Sequence, residues 1–166
     1  MCGIFSLLFK NNEIEHNIIE QSFMKGKTRG PEFSHLELIN GIKKCKNTNI
    51  YFGFHRLAIN GLDEESNQPF HFEKISLICN GEIYNYKELY ALLDIKPHTN
   101  SDCEIIIHLY KQYGIDYTLQ ILDGVFAFVL YDHENNILIS ARDPYGVRPL
   151  YMLQYQNSVH ENMIYG

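Results

Sequence analysis

The chain has 166 residues, a formal net charge of −6, 45% hydrophobic and 13% aromatic residues and no tryptophan. That length makes one domain able to bury a sizeable core, and interspersed acids and bases disfavour the basic face that nucleic-acid binding needs. No apolar run approaches the length that crosses a bilayer, and the first one lacks the basic region of a secretory signal in front of it.

In chain order, residues 4–9 read as a buried strand directly after Met1-Cys2-Gly3. Ile18, Ile19, Phe23 and Met24 recur at helical spacing until Gly26 interrupts, which predicts an amphipathic helix ending near Lys25. Gly26-Lys27-Thr28 looks like the tail of a phosphate-binding loop, but Gln21 stands where its first glycine is required. Arg29-Gly30-Pro31 is a loop, and strands are predicted at 35–39 and 50–59. After a polar, turn-rich segment, a strand at 75–79 runs into Asn80-Gly81, the dipeptide with the strongest preference for a positive-φ turn. A helix is predicted at 86–93, and Pro97 breaks the chain. Ser101-Asp102 caps a further helix, with Ile105, Ile106, Leu109 and Tyr110 inward and Gly114 as its stop. A short helix around 117–122 precedes strands at 125–131 and 137–141, a turn at 142–146 and a last strand at 150–153. Strand runs with helices grouped between them argue for an α+β layered-sheet protein.

Removal of Met1, favoured by a small second residue, would leave Cys2 with a thiol and a free α-amine on one carbon. A terminal amine titrates near ~7.7–8.0, low enough to accept the thiol proton at neutral pH. The four cysteines Cys2, Cys45, Cys79 and Cys103 form no C-x-x-C pair, so neither a zinc site nor a disulfide framework is expected; a reducing, cytoplasmic setting is. None of the eight histidines has a plausible metal partner, and His55 is read as structural.

Six blocks then occur together: Met1-Cys2-Gly3-Ile4-Phe5, Arg29-Gly30-Pro31, Arg56-Leu57-Ala58-Ile59, Asn80-Gly81-Glu82-Ile83-Tyr84-Asn85, Ser101-Asp102-Cys103-Glu104, and the run from Arg142-Asp143-Pro144-Tyr145-Gly146 to Tyr151. Their order and spacing resemble the class II glutamine amidotransferases, most of all the glutaminase half of glutamine-hydrolysing asparagine synthetases. The resemblance implies the four-layer αββα sandwich of two antiparallel sheets found in N-terminal-nucleophile hydrolases, with Cys2 at the end of a central strand. It also implies hydrolysis of L-glutamine to L-glutamate and ammonia through a Cys2 thioester, with no metal or cofactor for that reaction.

The residue types suit the task. The Asn80 side-chain amide and the Gly81 N–H could stabilise the tetrahedral oxyanion. Arg56 could bind the substrate α-carboxylate bidentately, and Asp102 could pair with its α-ammonium near Gly81-Glu82. The resemblance adds backbone contacts from Leu57, Ala58, Ile59 and Asn60 and a positioning role for Arg29-Gly30-Pro31. Glu82 is a further candidate acid. Each residue taken singly also has a plain structural reading: a hairpin turn, a helix cap, a surface ion pair.

Glu32-Phe33 and Thr28 depart from the family's usual loop residues. No Ser-Gly-Gly-x-Asp-Ser pyrophosphatase loop is present, so ATP, magnesium and aspartate would belong to a synthetase domain or subunit elsewhere, and the chain stops about where a last strand and a Ser-Glu motif are expected. It reads as residues 2–166 of a glutaminase domain: a fragment, a shortened product or one piece of a split enzyme. Two rival readings keep other outcomes open. One is an amidotransferase or amide hydrolase acting in another biosynthetic reaction; the other is an inactive domain retained for binding.

Overall fold

The computed structural model describes residues 2–10, 14–39, 48–59, 61, 63–157 and 160–163. Asn60 and Cys45 lie outside the described residues. The elements are β1 (Gly3–Lys10), α1 (His16–Met24), β2 (Phe33–Ile39), β3 (Thr48–Arg56), β4 (Phe70–Phe72), β5 (Ile75–Ile83), α2 (Tyr86–Leu93), α3 (Ile105–Ile121), β6 (Gly124–Asp132), β7 (Ile137–Arg142), β8 (Gln154–Asn157) and β9 (His160–Met163). One antiparallel sheet has the order β1-β3-β2, a second has the order β4-β5-β6-β7, and β8-β9 form a separate pair.

Strand alternation builds the layers. On β3, Ile50, Phe52 and Phe54 point into an inter-sheet core with Ile78, Val129 and Tyr131, while Tyr51 points the other way, onto Leu7, Phe9 and Ile19 of α1. On the far side of the second sheet, Leu77, Phe126, Phe128 and Leu130 pack against Leu89, Ile105, Ile106 and Leu109 from α2 and α3. Helix, sheet, sheet, helix is the order of the layers. Side chains such as Phe52 and Leu130, fully shielded from solvent, contribute on the order of 1.5–3 kcal/mol each.

Several expectations need correction. Asn80-Gly81 is no turn: both residues lie inside β5, opposite Ala127 and Phe126 of β6. Long-range pairing overrides the local preference of the dipeptide. Strand β3 ends at Arg56, so the run Leu57–Ile59 leaves the ladder. Residues 150–153 form no strand, and the chain pairs again only from Gln154. The expected stop at Gly114 is met: its backbone (φ 77°, ψ 176°) is non-helical and divides α3 at a kink, and the second piece, ending at Ile121, answers to the expected short helix. In α1 only Ile19 and Phe23 are buried, and Ile18 and Met24 face outward.

The inter-sheet stripe fixes where the chemistry sits. Cys2 and Ile4 continue that face of β1, and Arg56 ends it on β3. On β5 the same parity that turns Ile78 between the sheets turns Asn80 there too. Three strands therefore deliver three polar side chains to one end of the inter-sheet core.

Candidate active site

That end of the sandwich opens into a cavity of about 480 Å³, counting its solvent-open mouth. Cys2, Arg56, Asn80, Gly81 and Asp102 all line it. So do Leu57, Ala58, Ile59 and Glu82; of the residues expected from sequence only Asn60 is not described. Ser66, Gln68 and Arg148 line it as well. They escaped the sequence reading because residues 61–69 looked like a generic turn segment and Arg148 sat in a motif without an assigned role. The available signal was a run of polar side chains next to Pro69.

Cys2 is half-buried, whereas Cys79 and Cys103 are buried. Its Sγ is 3.4 Å from both the N–H and the carbonyl oxygen of Leu57. Burial pushes the Cys2 thiol up; the Leu57 N–H and Arg56 act against that without cancelling it. A thiol in this state needs a base to become a nucleophile. Cys103 is pushed up further, first by its hydrogen bond with Cys79 and then by burial.

The loop Arg29-Gly30-Pro31 crosses the end of β3. Pro31 bridges to Arg56, and the Glu32 N–H donates to the Arg56 carbonyl at 3.2 Å. A Cβ on Gly30 would stand 2.4 Å from the His55 backbone, so only glycine lets the two chains touch here. Glu32 also accepts the Ala58 N–H at 2.8 Å, which steadies the segment after β3. His55 is buried and stacks on Phe23 with ring centroids 3.9 Å apart. Its Nε2 donates to the Phe23 carbonyl at 2.9 Å, and its Nδ1 meets Ser34 Oγ at 2.7 Å. Both ring nitrogens are thereby occupied in packing.

The edge of β5 explains how Gly81 faces the cavity. Phe126, its partner on β6, uses its own N–H and carbonyl on Asp143. The Gly81–Phe126 pair is therefore a non-hydrogen-bonded one, and the polar backbone of Gly81 points to the opposite edge. Strand β4 stops at Phe70, opposite Leu77, and leaves that edge uncovered beyond it. Side chains take over: Gln68 accepts the Cys79 N–H at 2.5 Å and donates to the Cys79 carbonyl at 3.1 Å, Asp102 accepts the Ile83 N–H at 2.6 Å, and Cys103 donates to the Gly81 carbonyl at 3.7 Å. The Gly81 N–H lies between these brackets. A Cβ at Gly81 would stand 2.6 Å from the Val125 carbonyl oxygen, so close strand pairing demands the glycine, with no positive φ involved.

Arg56 is buried; its NH1 donates to the Asp63 carbonyl at 2.9 Å and to Asn67 Oδ1 at 2.6 Å. Its NH2 is buried and makes no hydrogen bond among the described residues. The bidentate grip expected of the whole fork is thus narrowed, because NH1 is already committed. At the other rim Arg148 reaches Glu82 at 3.2 Å. The Arg148 loop hangs on Asp143, whose carboxylate accepts the N–H groups of Phe126, Tyr145, Val147 and Arg148. Burial alone would raise that carboxyl, and these donors hold it below the usual range instead.

The histidine reading also needs revision. His98, Glu104 and His108 converge, with one ligand-type atom from each within 4.8 Å of the others. Sequence spacing hid this because the loop before α3 folds back over its first turn. Glu104 is fully buried, and it accepts the N–H groups of His98 (2.9 Å) and Thr99 (2.6 Å) and His108 Nε2 (2.9 Å). Its oxygens are thus engaged in holding the loop that delivers Asp102. Burial opposes ionisation, yet His108 and the backbone donors outweigh it and bring the carboxyl down to about 2. The sign is that of a depressed acid: the stabilisation is complete above the unfolded value near ~4.3 and is lost as pH falls through about 2. It amounts to roughly 3 kcal/mol. Denaturant titrations between pH 5 and 2 should show wild-type stability falling across this window, with a shallower fall for Glu104→Gln; parallel curves would refute the anchor.

Comparison with known proteins places the chain. The glutamine amidotransferase domain model matches residues 1–166. Asparagine synthetase [glutamine-hydrolyzing] of Mesocricetus auratus is 43% identical over 155 residues, covering 91% of this chain and 26% of that protein. The proteins of the same description from Gallus gallus and Homo sapiens are each 42% identical with the same coverage. This chain thus spans about a quarter of the length of these curated relatives. Among solved structures, glutamine phosphoribosylpyrophosphate amidotransferase from B. subtilis, complexed with ADP and GMP, superposes with a TM-score of 0.67 at 22% identity, covering 89% of this chain and 39% of that one. The two-sheet sandwich is accordingly the N-terminal-nucleophile hydrolase fold. A family model running the length of the chain, joined to that fold, makes this chain a member of the class II glutamine amidotransferase domain family.

Proposed function

We propose that the domain hydrolyses the side-chain amide of L-glutamine to L-glutamate and ammonia through a thioester on Cys2. The observation that carries this reading is that Arg56, whose buried NH2 has no hydrogen bond among the described residues, lines the same cavity as Cys2, Asn80 and Asp102. Such a group calls for an anion, and the glutamine α-carboxylate supplies one. Asp102, with Glu82 near it, receives the α-ammonium, and the segment after β3 contributes backbone contacts.

Because burial raises the Cys2 thiol, the α-amine freed by loss of Met1 takes its proton as sulfur attacks the amide carbon. The negative charge that develops on oxygen falls to the Asn80 side-chain amide and the Gly81 N–H. Collapse breaks the C–N bond, the amine returns its proton to the departing ammonia, and water then hydrolyses the thioester. No metal or cofactor enters these steps.

Ammonia would pass to an aspartyl-adenylate in a synthetase domain or subunit that binds aspartate and ATP with magnesium, in the cytoplasm. The similarity to asparagine synthetases supports this acceptor. No helix among the described residues is long and apolar enough to cross a membrane. The test is release of glutamate and ammonia from glutamine, with asparagine as comparator and intact mass checking removal of Met1. Protein lacking Met1 that neither turns over glutamine nor is labelled at Cys2 by a glutamine-like electrophile would sink the proposal.

A further inference from the structure

We infer that Asn67 is a positioning residue that decides which end of the Arg56 guanidinium meets the substrate; this rests on the glutaminase reading above. NH1 of a guanidinium carries two hydrogens, and here the Asp63 carbonyl and Asn67 Oδ1 take both. The plane and rotation of the group are fixed by that pair of acceptors, and NH2 is the nitrogen left with no partner among the described residues. With one acceptor missing, the guanidinium could pivot about the remaining bond.

Asn67 is itself held from both sides. Its N–H donates to the Glu64 carbonyl at 3.0 Å, and the turn before it is closed by Asp63, which accepts both the Ser66 N–H (2.9 Å) and the Ser66 hydroxyl (2.6 Å). Next along, Gln68 clips the backbone of Cys79, the residue before Asn80. One dipeptide thus ties the carboxylate grip on β3 to the oxyanion strand β5. The chemistry of the acceptor matters as well as its place. An amide oxygen orients Arg56 without neutralising it, so the full positive charge remains for the substrate. An aspartate at this position would keep the bond and compete with the α-carboxylate.

The experiment is steady-state glutaminase kinetics on wild type, Asn67→Ala and Asn67→Asp, with melting temperature and the rate of Cys2 alkylation by iodoacetamide measured alongside. Iodoacetamide has no α-carboxylate, so its rate should not change. Asn67→Ala should raise the KM for glutamine about tenfold, the worth of one charge-assisted hydrogen bond, with kcat within about twofold. Asn67→Asp should hold its melting temperature and still raise KM, and added salt should narrow the gap to wild type. An unchanged KM in folded Asn67→Ala, or a fall in kcat at constant KM, overturns the inference. Should Asn67→Ala fail to fold, an unchanged KM in Asn67→Asp overturns it. Wild-type protein that does not turn over glutamine removes the parent reading, and this one with it.

Discussion

Replacing Cys2 with alanine should eliminate glutamine hydrolysis, by about four orders of magnitude or more, while the melting temperature stays near wild type. The side chain is half-buried, and its polar contacts are two 3.4 Å approaches to Leu57, so its removal leaves little unsatisfied. The scale of the loss follows from its role: no other described cysteine offers an accessible thiol, since Cys79 and Cys103 are buried in the helix-facing core. The wild-type pH profile adds a second reading. The thiol is raised by burial, so the proton must be taken by the α-amine, and kcat/KM should rise with pH as that amine loses its proton around ~7.7–8.0. A variant with Met1 retained should lose activity as completely as the alanine variant. Turnover by Cys2→Ala would end the mechanism outright.

Replacing Asn80 with alanine should lower kcat by about 10²–10³ and leave KM close to wild type, the pattern of a donor that acts only on the transition state. The amide faces the cavity between the sheets and makes no hydrogen bond to another protein group among the described residues. Its loss should therefore cost activity far more than stability. Asn80→Asp should be worse than Asn80→Ala, because it sets a negative charge where another must form. Gly81 is a different case: its substitution forces β5 away from β6, and stability and activity should fall together. Stopped-flow or coupled ammonia assays, paired with thermal melts, separate the two behaviours. A raised KM at constant kcat in Asn80→Ala would move the residue from transition-state stabilisation to ground-state binding.

Which features were legible in the sequence depended on whether they were written locally. The strands and helices around the core were written locally, as helical spacing in residues 86–93 or an unbroken apolar run in 125–131. Cys2, Arg56 and Asp102 stood out only together, as parts of six blocks in family order, since each taken singly has a plain structural reading. Asn80-Gly81 shows the opposite case. Both residues line the cavity, but the expected turn is absent, since turn preference is a property of the dipeptide and strand pairing is a property of β6. Likewise Leu57–Ile59 had the composition of a strand and became part of the cavity wall, because Glu32 draws the chain out of the ladder. The roles of Asn67 and Gln68 were invisible: a polar amide in a turn segment carries no period, and its partners lie on two other strands. The convergence of His98, Glu104 and His108 was hidden for the same reason.

The uncovered margin of β5 beyond Phe70 has one more consequence. An exposed row of main-chain donors and acceptors is what a stray polypeptide segment seeks when chains self-associate into ribbons. Here Gln68, Cys103 and Asp102 stopper that row at successive rungs, leaving a gap too short to template another strand. Catalytic competence and resistance to clumping would thus depend on the same few stoppers, and damage to one would be felt in both.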